Sequence, residues 1–333
     1  MIKMKSITSI GLATCLSIAS SFSLADVTLK LAIDTSPKEA PAGQALTEWS
    51  QLIEQYSNGE IKTKVYYQNE LGGQQEVFDL LVSGDVDGML TWPMTSYDKR
   101  IGVVYTPYMV TDWEDALKAY SPDGWASSVL NTVMADLSLK FLGPWPEGFN
   151  GVATKGKVAL TPEEARDLKV RTIPVFPFPQ TMQALGYQTA SIDWGEVYTA
   201  LQTGVVDGDS GNVIYWDYEY FRDTLDYYLH TRHMFMTAMF LINQDRFDEL
   251  TKAQQEAIQK ASNDMVKKQF VKAKEVDQLY IDKAIADGMK YIELSPEQLK
   301  AHAKAAREQV WPLMRKEIGD EIMDQVEENA QAL

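Results

Sequence analysis

Two similar stretches of sequence decide the fold: LLVSGDVDG at residues 80–88 and ALQTGVVDG at residues 200–208. In each stretch an amphipathic helix pattern ends at a glycine, Gly84 or Gly204, and a strand pattern follows. Glycine is common at this point because it adopts the left-handed conformation that ends many helices. The repeat predicts two lobes of related architecture. A chance match of a common helix-to-strand connection is the alternative.

The chain begins with alternating strand and helix patterns. Residues 27–33 alternate as a strand does, and residues 43–56 place apolar side chains at helical spacing. Residues 61–66 form a second strand pattern, and a helix at 74–82 and a strand at 86–90 continue the alternation. Such units predict an α/β fold whose parallel strands are covered by helices and bind ligands at their carboxyl ends.

A long helix is predicted late in the chain. Thr251 and Gln254 have the spacing of a capping box, and a helical pattern of about 35 residues follows. At roughly 1.5 Å per residue this helix is about 50 Å long, more than one lobe. We therefore expect it to run along both lobes. We also expect strands to cross between the lobes, with one of them at residues 234–240.

The first 25 residues have the features of a secretory signal. Lys3 and Lys5 precede a short apolar stretch at residues 7–19, and small residues lead to a cleavage site after Ala25. We therefore expect export to the periplasm of a Gram-negative bacterium; a retained anchor is the alternative. Cys15 lies in a context that loosely resembles a lipoprotein processing site. Cleavage after Ala25 leaves no cysteine, which excludes disulfides and thiolate chemistry in the mature chain.

The composition is strongly acidic. The chain has 31 Lys and Arg against 47 Asp and Glu, and because two lysines belong to the signal segment, the mature net charge is −18. This charge argues against nucleic acid or an anionic membrane surface as a partner. A bound anion would need a local positive site, so a single arginine matters more than the overall charge. The roughly 300 mature residues favour two domains.

Three further motifs resemble one protein family. LKVRT at residues 168–172, WGEVYTALQTGVVDG at 194–208 and LGGQQE at 71–76 resemble the signature of the solute-binding proteins of TRAP-type (tripartite ATP-independent periplasmic) transporters. The resemblance implies an α/β, two-lobed fold like that of periplasmic binding proteins, with a cleft between the lobes and a long helix spanning both. It implies a small organic anion as ligand, no catalysis, and docking to the small and large integral membrane subunits of the transporter.

The resemblance also places the lobes along the chain. After the signal peptide at residues 1–25, lobe I comprises residues 26–148 and 237–276, and lobe II comprises residues 149–236 and 277–333. We expect a monomer.

Arg171 matches the carboxylate-binding arginine of the family's Lys-Val-Arg motif. A guanidinium group is planar and always charged, and it presents two parallel donors that fit a carboxylate. A structural ion pair on a strand is the alternative reading of an arginine at this position.

Four aromatic residues are predicted to form the walls of the cleft. Trp194 falls where the family carries an aromatic residue against the ligand, and Trp92 occupies the matching rim of lobe I. Tyr215 and Trp216 add aromatic surface nearby. Core packing is the alternative for a tryptophan.

The remaining candidates are polar. Asn150 stands where many relatives carry an arginine that contacts an anion, so a smaller or monoanionic ligand is favoured. The family's asparagine after the second Val-Asp-Gly corresponds to Gly211 or to Asn212, of which only Asn212 has an amide. Asp34 and Asp209 are candidates to accept hydrogen bonds from ligand hydroxyls or an amine.

Other functions find less support in the sequence. His230 and His233 would resemble two zinc ligands if their segment were helical, but a strand pattern follows and directs the two rings to opposite faces. The chain lacks the Gly-x-Ser-x-Gly motif of many hydrolases. We expect no metal, cofactor or catalysis. A module read by a chemoreceptor stays open as an alternative, and so does a sulfonate or a zwitterion as ligand.

Overall fold

The structure is a computed structural model that describes residues 27–330. The predicted signal segment and Cys15 lie outside these residues. In chain order the strands are β1 (Val27–Ala32), β2 (Ile61–Tyr66), β3 (Gly88–Thr91), β4 (Leu139–Phe149), β5 (Val152–Thr154), β6 (Lys169–Thr172), β7 (Gln188–Ser191), β8 (Gly208–Asp209), β9 (Tyr227–His230), β10 (Phe235–Asn243) and β11 (Lys290–Glu293).

Helices cover these strands. In chain order they are α1 (Pro41–Tyr56), α2 (Gln74–Ser83), α3 (Trp113–Ala119), α4 (Trp125–Ala135), α5 (Pro162–Ala165), α6 (Phe178–Ala184), α7 (Val197–Thr203), α8 (Ile214–Phe221), α9 (Gln244–Asp248), α10 (Lys252–Ala286), α11 (Pro296–Ile318) and α12 (Asp320–Asn329). Lys99–Tyr105 and Trp194–Glu196 are 3₁₀ helices. None of the helices within residues 27–330 is both long and apolar enough to cross a membrane.

The strands form two sheets. The first has the order β2-β1-β3-β10-β4, and the second has the order β11-β9-β5-β8-β6-β7. Strand β1 pairs in parallel with β2 and β3, and β6 pairs in parallel with β7 and β8. The predicted α/β class is therefore confirmed, with a parallel core in each sheet and antiparallel strands beside it.

The repeated stretches occupy matching places in the two sheets. Gly84 ends α2 with φ +81°, and Gly204 ends α7 with φ +71°. The strands that follow, β3 and β8, lie beside β1 and β6. The repeat therefore reflects two related architectures, as predicted.

Two strand connections join the sheets. The chain passes from the first sheet to the second between Phe149 and Val152, and it returns between His230 and Phe235. Asn150 N–H donates to Met234 O at 3.1 Å, and Arg232 N–H donates to Asn150 O at 3.0 Å, so the two connections are hydrogen-bonded to each other. The predicted return strand is confirmed as β10.

The long helix is also confirmed. Helix α10 has 35 residues and begins with the predicted capping box at Thr251. It packs on α1 and β4 at the first sheet and on α8 and β11 at the second. Its length of roughly 50 Å allows it to contact both.

The last two helices bring the chain back to the first sheet. Helix α11 contacts α6 at one end and the Lys99–Tyr105 turn at the other, and α12 packs on α4. The predicted lobe boundaries stay a prediction, but this packing argues for placing α12 with lobe I. The sequence did not predict this placement of α12, because the pattern of an amphipathic helix does not show which element its apolar face packs against.

Candidate functional site

Arg171 lies on β6 and is 3% exposed. Its Nε donates to the Ile192 carbonyl at 2.9 Å, and its Nη1 donates to Asp209 Oδ1 at 3.1 Å. Asp209 is fully buried on the neighbouring strand β8, so the two side chains form a buried ion pair. Within residues 27–330, Arg171 Nη2 has no hydrogen-bond partner. The guanidinium group is thus fixed on one side and has donors left on the other.

The segment after β8 packs tightly on this pair. A Cβ atom on Gly211 would lie 2.6 Å from Arg171 Nη1 and 2.8 Å from Ile173 Cγ1, so a larger residue at this position would have to displace these side chains. Asn212 is buried, and its Nδ2 donates to Asp217 Oδ1 at 2.9 Å. The Asn212 amide is therefore used within the second sheet's layer.

A cavity of about 310 Å³ lies between elements of both sheets. Trp92 follows β3 of the first sheet, while Tyr215 and Trp216 belong to α8 beside the second. All three of these predicted residues line the cavity, together with Ser36, Pro41, Trp145, Glu147, Val213, Lys272 and Tyr280.

Glu147 is the acidic side chain of this cavity. It is the extra residue of a β-bulge, because Met236 pairs with Gly148 while Thr237 pairs with Pro146. Its Oε2 accepts from Trp92 Nε1 and its Oε1 accepts from Trp216 Nε1, both at 3.2 Å. Burial raises the pKa of Glu147, and the two indole N–H groups oppose that rise. One carboxylate thus holds a tryptophan from each side of the cavity.

Trp194 lies outside the core, since 43% of it is exposed. Its ring centroid is 5.9 Å from that of Trp216 and 5.3 Å from those of Tyr220 and Phe221. Trp194 therefore extends the aromatic surface that Trp216 carries into the cavity. Arg171 is not among the residues that line this cavity, but the segment 209–213 leads from its partner Asp209 to the cavity residue Val213.

Asn150 belongs to the connection between the sheets. It is fully buried, its Oδ1 accepts from Met234 N–H at 2.8 Å, and its Nδ2 lies 2.9 Å from His233 Nε2. Burial lowers the pKa of His233 to about 3, so that ring is neutral. The Asn150 side chain is therefore used in holding the crossing strands together.

Asp34 is 3% exposed at the end of β1. Neither of its carboxylate oxygens has a hydrogen-bond partner within residues 27–330. Burial raises the pKa of Asp34 to about 6, and its own backbone N–H opposes the rise only in part. Asp34 does not line the cavity, although Ser36 does.

The structure thus brings the predicted residues together in two groups. Arg171, Asp209, Gly211 and Asn212 form one group, and Trp92, Tyr215 and Trp216 form the cavity, with Trp194 beside it. Sequence reasoning missed Glu147. Pro146 and Gly148 inside a buried strand were the available signal, because proline and glycine within a strand often mark a bulge.

The two histidines point to different surroundings. His230 Nδ1 lies 3.1 Å from Glu293 Oε1, whereas His233 Nδ1 lies 2.6 Å from Thr231 Oγ1. Among residues 27–330 no group of three or more His, Cys, Asp or Glu side chains is arranged to hold a metal ion.

The chain is similar to known solute-binding proteins. The model of the DctP family, bacterial extracellular solute-binding protein family 7, matches residues 33–317. The ectoine-binding periplasmic protein TeaA of Halomonas elongata is 24% identical over 283 residues, which are 83% of this chain and 83% of that protein. The 2,3-diketo-L-gulonate-binding periplasmic protein YiaO of Escherichia coli is 24% identical over 98% of this chain and 99% of that protein. A crystal structure of a TRAP periplasmic solute-binding protein from Ochrobactrum anthropi superposes with a TM-score of 0.84 at 25% identity, covering 92% of this chain and 95% of that one.

Proposed function

We propose a ligand class and a route for this chain, which belongs to bacterial extracellular solute-binding protein family 7 and is a TRAP-type solute-binding protein. The ligand is a small organic acid that binds between the two lobes, with its carboxylate on Arg171. The protein carries it through the periplasm to the small and large membrane subunits of the transporter. It acts as a monomer and performs no chemistry on the ligand.

The free side of the Arg171 guanidinium group carries this proposal. The side chain is buried, its Nε and Nη1 are used, and its Nη2 has no partner among the described residues. A buried arginine with a donor left over favours an acceptor with matching charge and geometry, and a carboxylate meets both needs. Asp209 fixes the guanidinium orientation before the ligand arrives, which lowers the entropy cost of binding.

Two relatives support the same class. YiaO is named for binding 2,3-diketo-L-gulonate, a sugar acid, and TeaA is named for binding ectoine. A carboxylate is common to both ligands. A sulfonate would satisfy the same donors, and it is distinguished from a carboxylate by direct competition.

A thermal-shift screen of the mature chain against small acids tests the proposal. A ligand at 100 times its dissociation constant adds about 2.7 kcal/mol to the free energy of unfolding. We expect carboxylates to raise the melting temperature, and we expect Arg171→Ala to abolish the shift. Arg166→Ala is the control, because Arg166 is an exposed arginine that follows α5, close to Arg171 in the chain. Stabilisation by uncharged sugars alone, or equal shifts in both variants, would refute the assignment.

A further inference from the structure

The carboxylate of Glu147 lies between the tryptophans of the two sides of the cavity. Trp92 from the first sheet and Trp216 from α8 each donate an indole N–H to a different oxygen of it, at 3.2 Å. Each carboxylate oxygen can accept a second hydrogen bond, so Glu147 keeps acceptor capacity toward the cavity that it lines. The bulge in β4 is what turns this residue out of the strand pairing.

The walls around this carboxylate are aromatic. Trp92, Trp145, Tyr215, Trp216 and Tyr280 all line the cavity of about 310 Å³. Trp92 and Trp145 meet edge to face at 6.4 Å, and Tyr215 meets Trp216 in the same way at 4.7 Å. Aromatic walls beside a carboxylate suit a positively charged nitrogen, because aromatic rings attract a cation that lies over their faces.

The charge balance leads to the same chemistry. Asp209 already neutralises Arg171, and Glu147 is the acidic side chain that lines the cavity. Lys272 is a cation that lines the cavity, but it is exposed to solvent, where its charge is screened. A ligand that brought only a negative charge would add it to an acidic surrounding.

We propose that Glu147 and the aromatic walls bind a cationic nitrogen, so that the ligand is a small zwitterion with one carboxylate and one positively charged nitrogen. The inference rests on the proposed function, because Arg171 takes the carboxylate. It makes Glu147 the residue that selects zwitterions over simple acids of the same shape.

Pairs of acids that differ only in charge test this inference. Glycine betaine and tert-butylacetate have the same shape, and so have proline and cyclopentanecarboxylate at the ring. Their dissociation constants are measured by calorimetry at pH 8 on the wild type, on Glu147→Gln and on Glu293→Gln. Glu293 is the matched control because it is half exposed and lines a different groove.

We expect each nitrogen-bearing acid that binds to do so at least tenfold more tightly than its carbon analogue. We expect Glu147→Gln to remove most of that ratio and Glu293→Gln to keep it.

The ratio separates selection from a merely structural role. A structural role would weaken both members of a pair alike, so an unchanged ratio in Glu147→Gln would overturn the inference. Tighter binding of the carbon analogues would overturn it too, and so would binding of plain acids with no binding of either zwitterion. In those cases Arg171-dependent binding of plain acids would leave the proposed function intact. If no acid of any kind binds, the proposed function itself fails.

Discussion

Truncation of Asn150 tests whether this side chain holds together the two connections between the sheets. Asn150 is fully buried, accepts from Met234 N–H at 2.8 Å and lies 2.9 Å from His233 Nε2. Asn150→Ala leaves Met234 N–H buried without its partner, at about 1 to 3 kcal/mol, whereas His233 Nε2 still lies 3.1 Å from the Ser210 carbonyl oxygen. We therefore expect the free energy of unfolding to fall by about 1 to 3 kcal/mol, which moves a urea midpoint by roughly 0.5 to 1 M.

Asn131→Ala is the matched control for this experiment. Asn131 is half-buried on α4, and its Nδ2 donates only to Ser127 O in the same helix, at 3.0 Å. Because alanine also favours the helix, the control should change stability by less than about 1 kcal/mol. If Asn150→Ala changes stability as little as the control does and instead changes ligand affinity, the side chain contacts the ligand and does not stabilise the connection between the sheets.

Three further outcomes follow from the site. Asp34→Asn should raise the free energy of unfolding by about 1 to 3 kcal/mol at pH 8 and by less toward pH 4. The pKa of Asp34 is raised to about 6, so its ionised form destabilises the folded state and its protonated form does not. A gain in stability that is independent of pH in urea titrations would contradict this. Gly211→Ala should displace the guanidinium group of Arg171 and weaken acid binding at least tenfold. Gly195→Ala is the control and should not weaken binding, because the space around its Cβ is open. Equal calorimetric affinities of the two variants would show that Gly211 does not position Arg171 for binding. Trp194→Ala should weaken binding by roughly 1 to 3 kcal/mol, and by different amounts for acids of different carbon skeleton. The protein should stay folded, because Trp194 is 43% exposed. Unchanged dissociation constants would show that Trp194 does not belong to the site.

The sequence was sufficient for elements whose pattern is local. The strand at 61–66 and the 35-residue helix have the predicted bounds within a residue, because alternation, helical spacing and a capping box are read from neighbouring residues. Strand β3 begins at Gly88 and not at Val86. Its start depends on pairing with β1 and β10, which a local pattern does not contain.

The site was only partly predictable for the same reason. The motif identified Arg171, but its ion pair with Asp209 joins residues 38 positions apart through the pairing of β6 with β8. The structure therefore unites the two alternatives at this position, since the arginine is in an ion pair and still has a free donor. Glu147 was missed because its bulge arises from the register with β10.

The most direct test of the central claim is the affinity of Arg171→Lys for the acid that the screen identifies. Lysine keeps the charge but loses the planar pair of donors, so binding measured by calorimetry should weaken by more than tenfold. Arg166→Lys, the same exchange at an exposed position, should bind within about twofold of the wild type. Unchanged affinity in Arg171→Lys would contradict the claim that this guanidinium group holds the ligand.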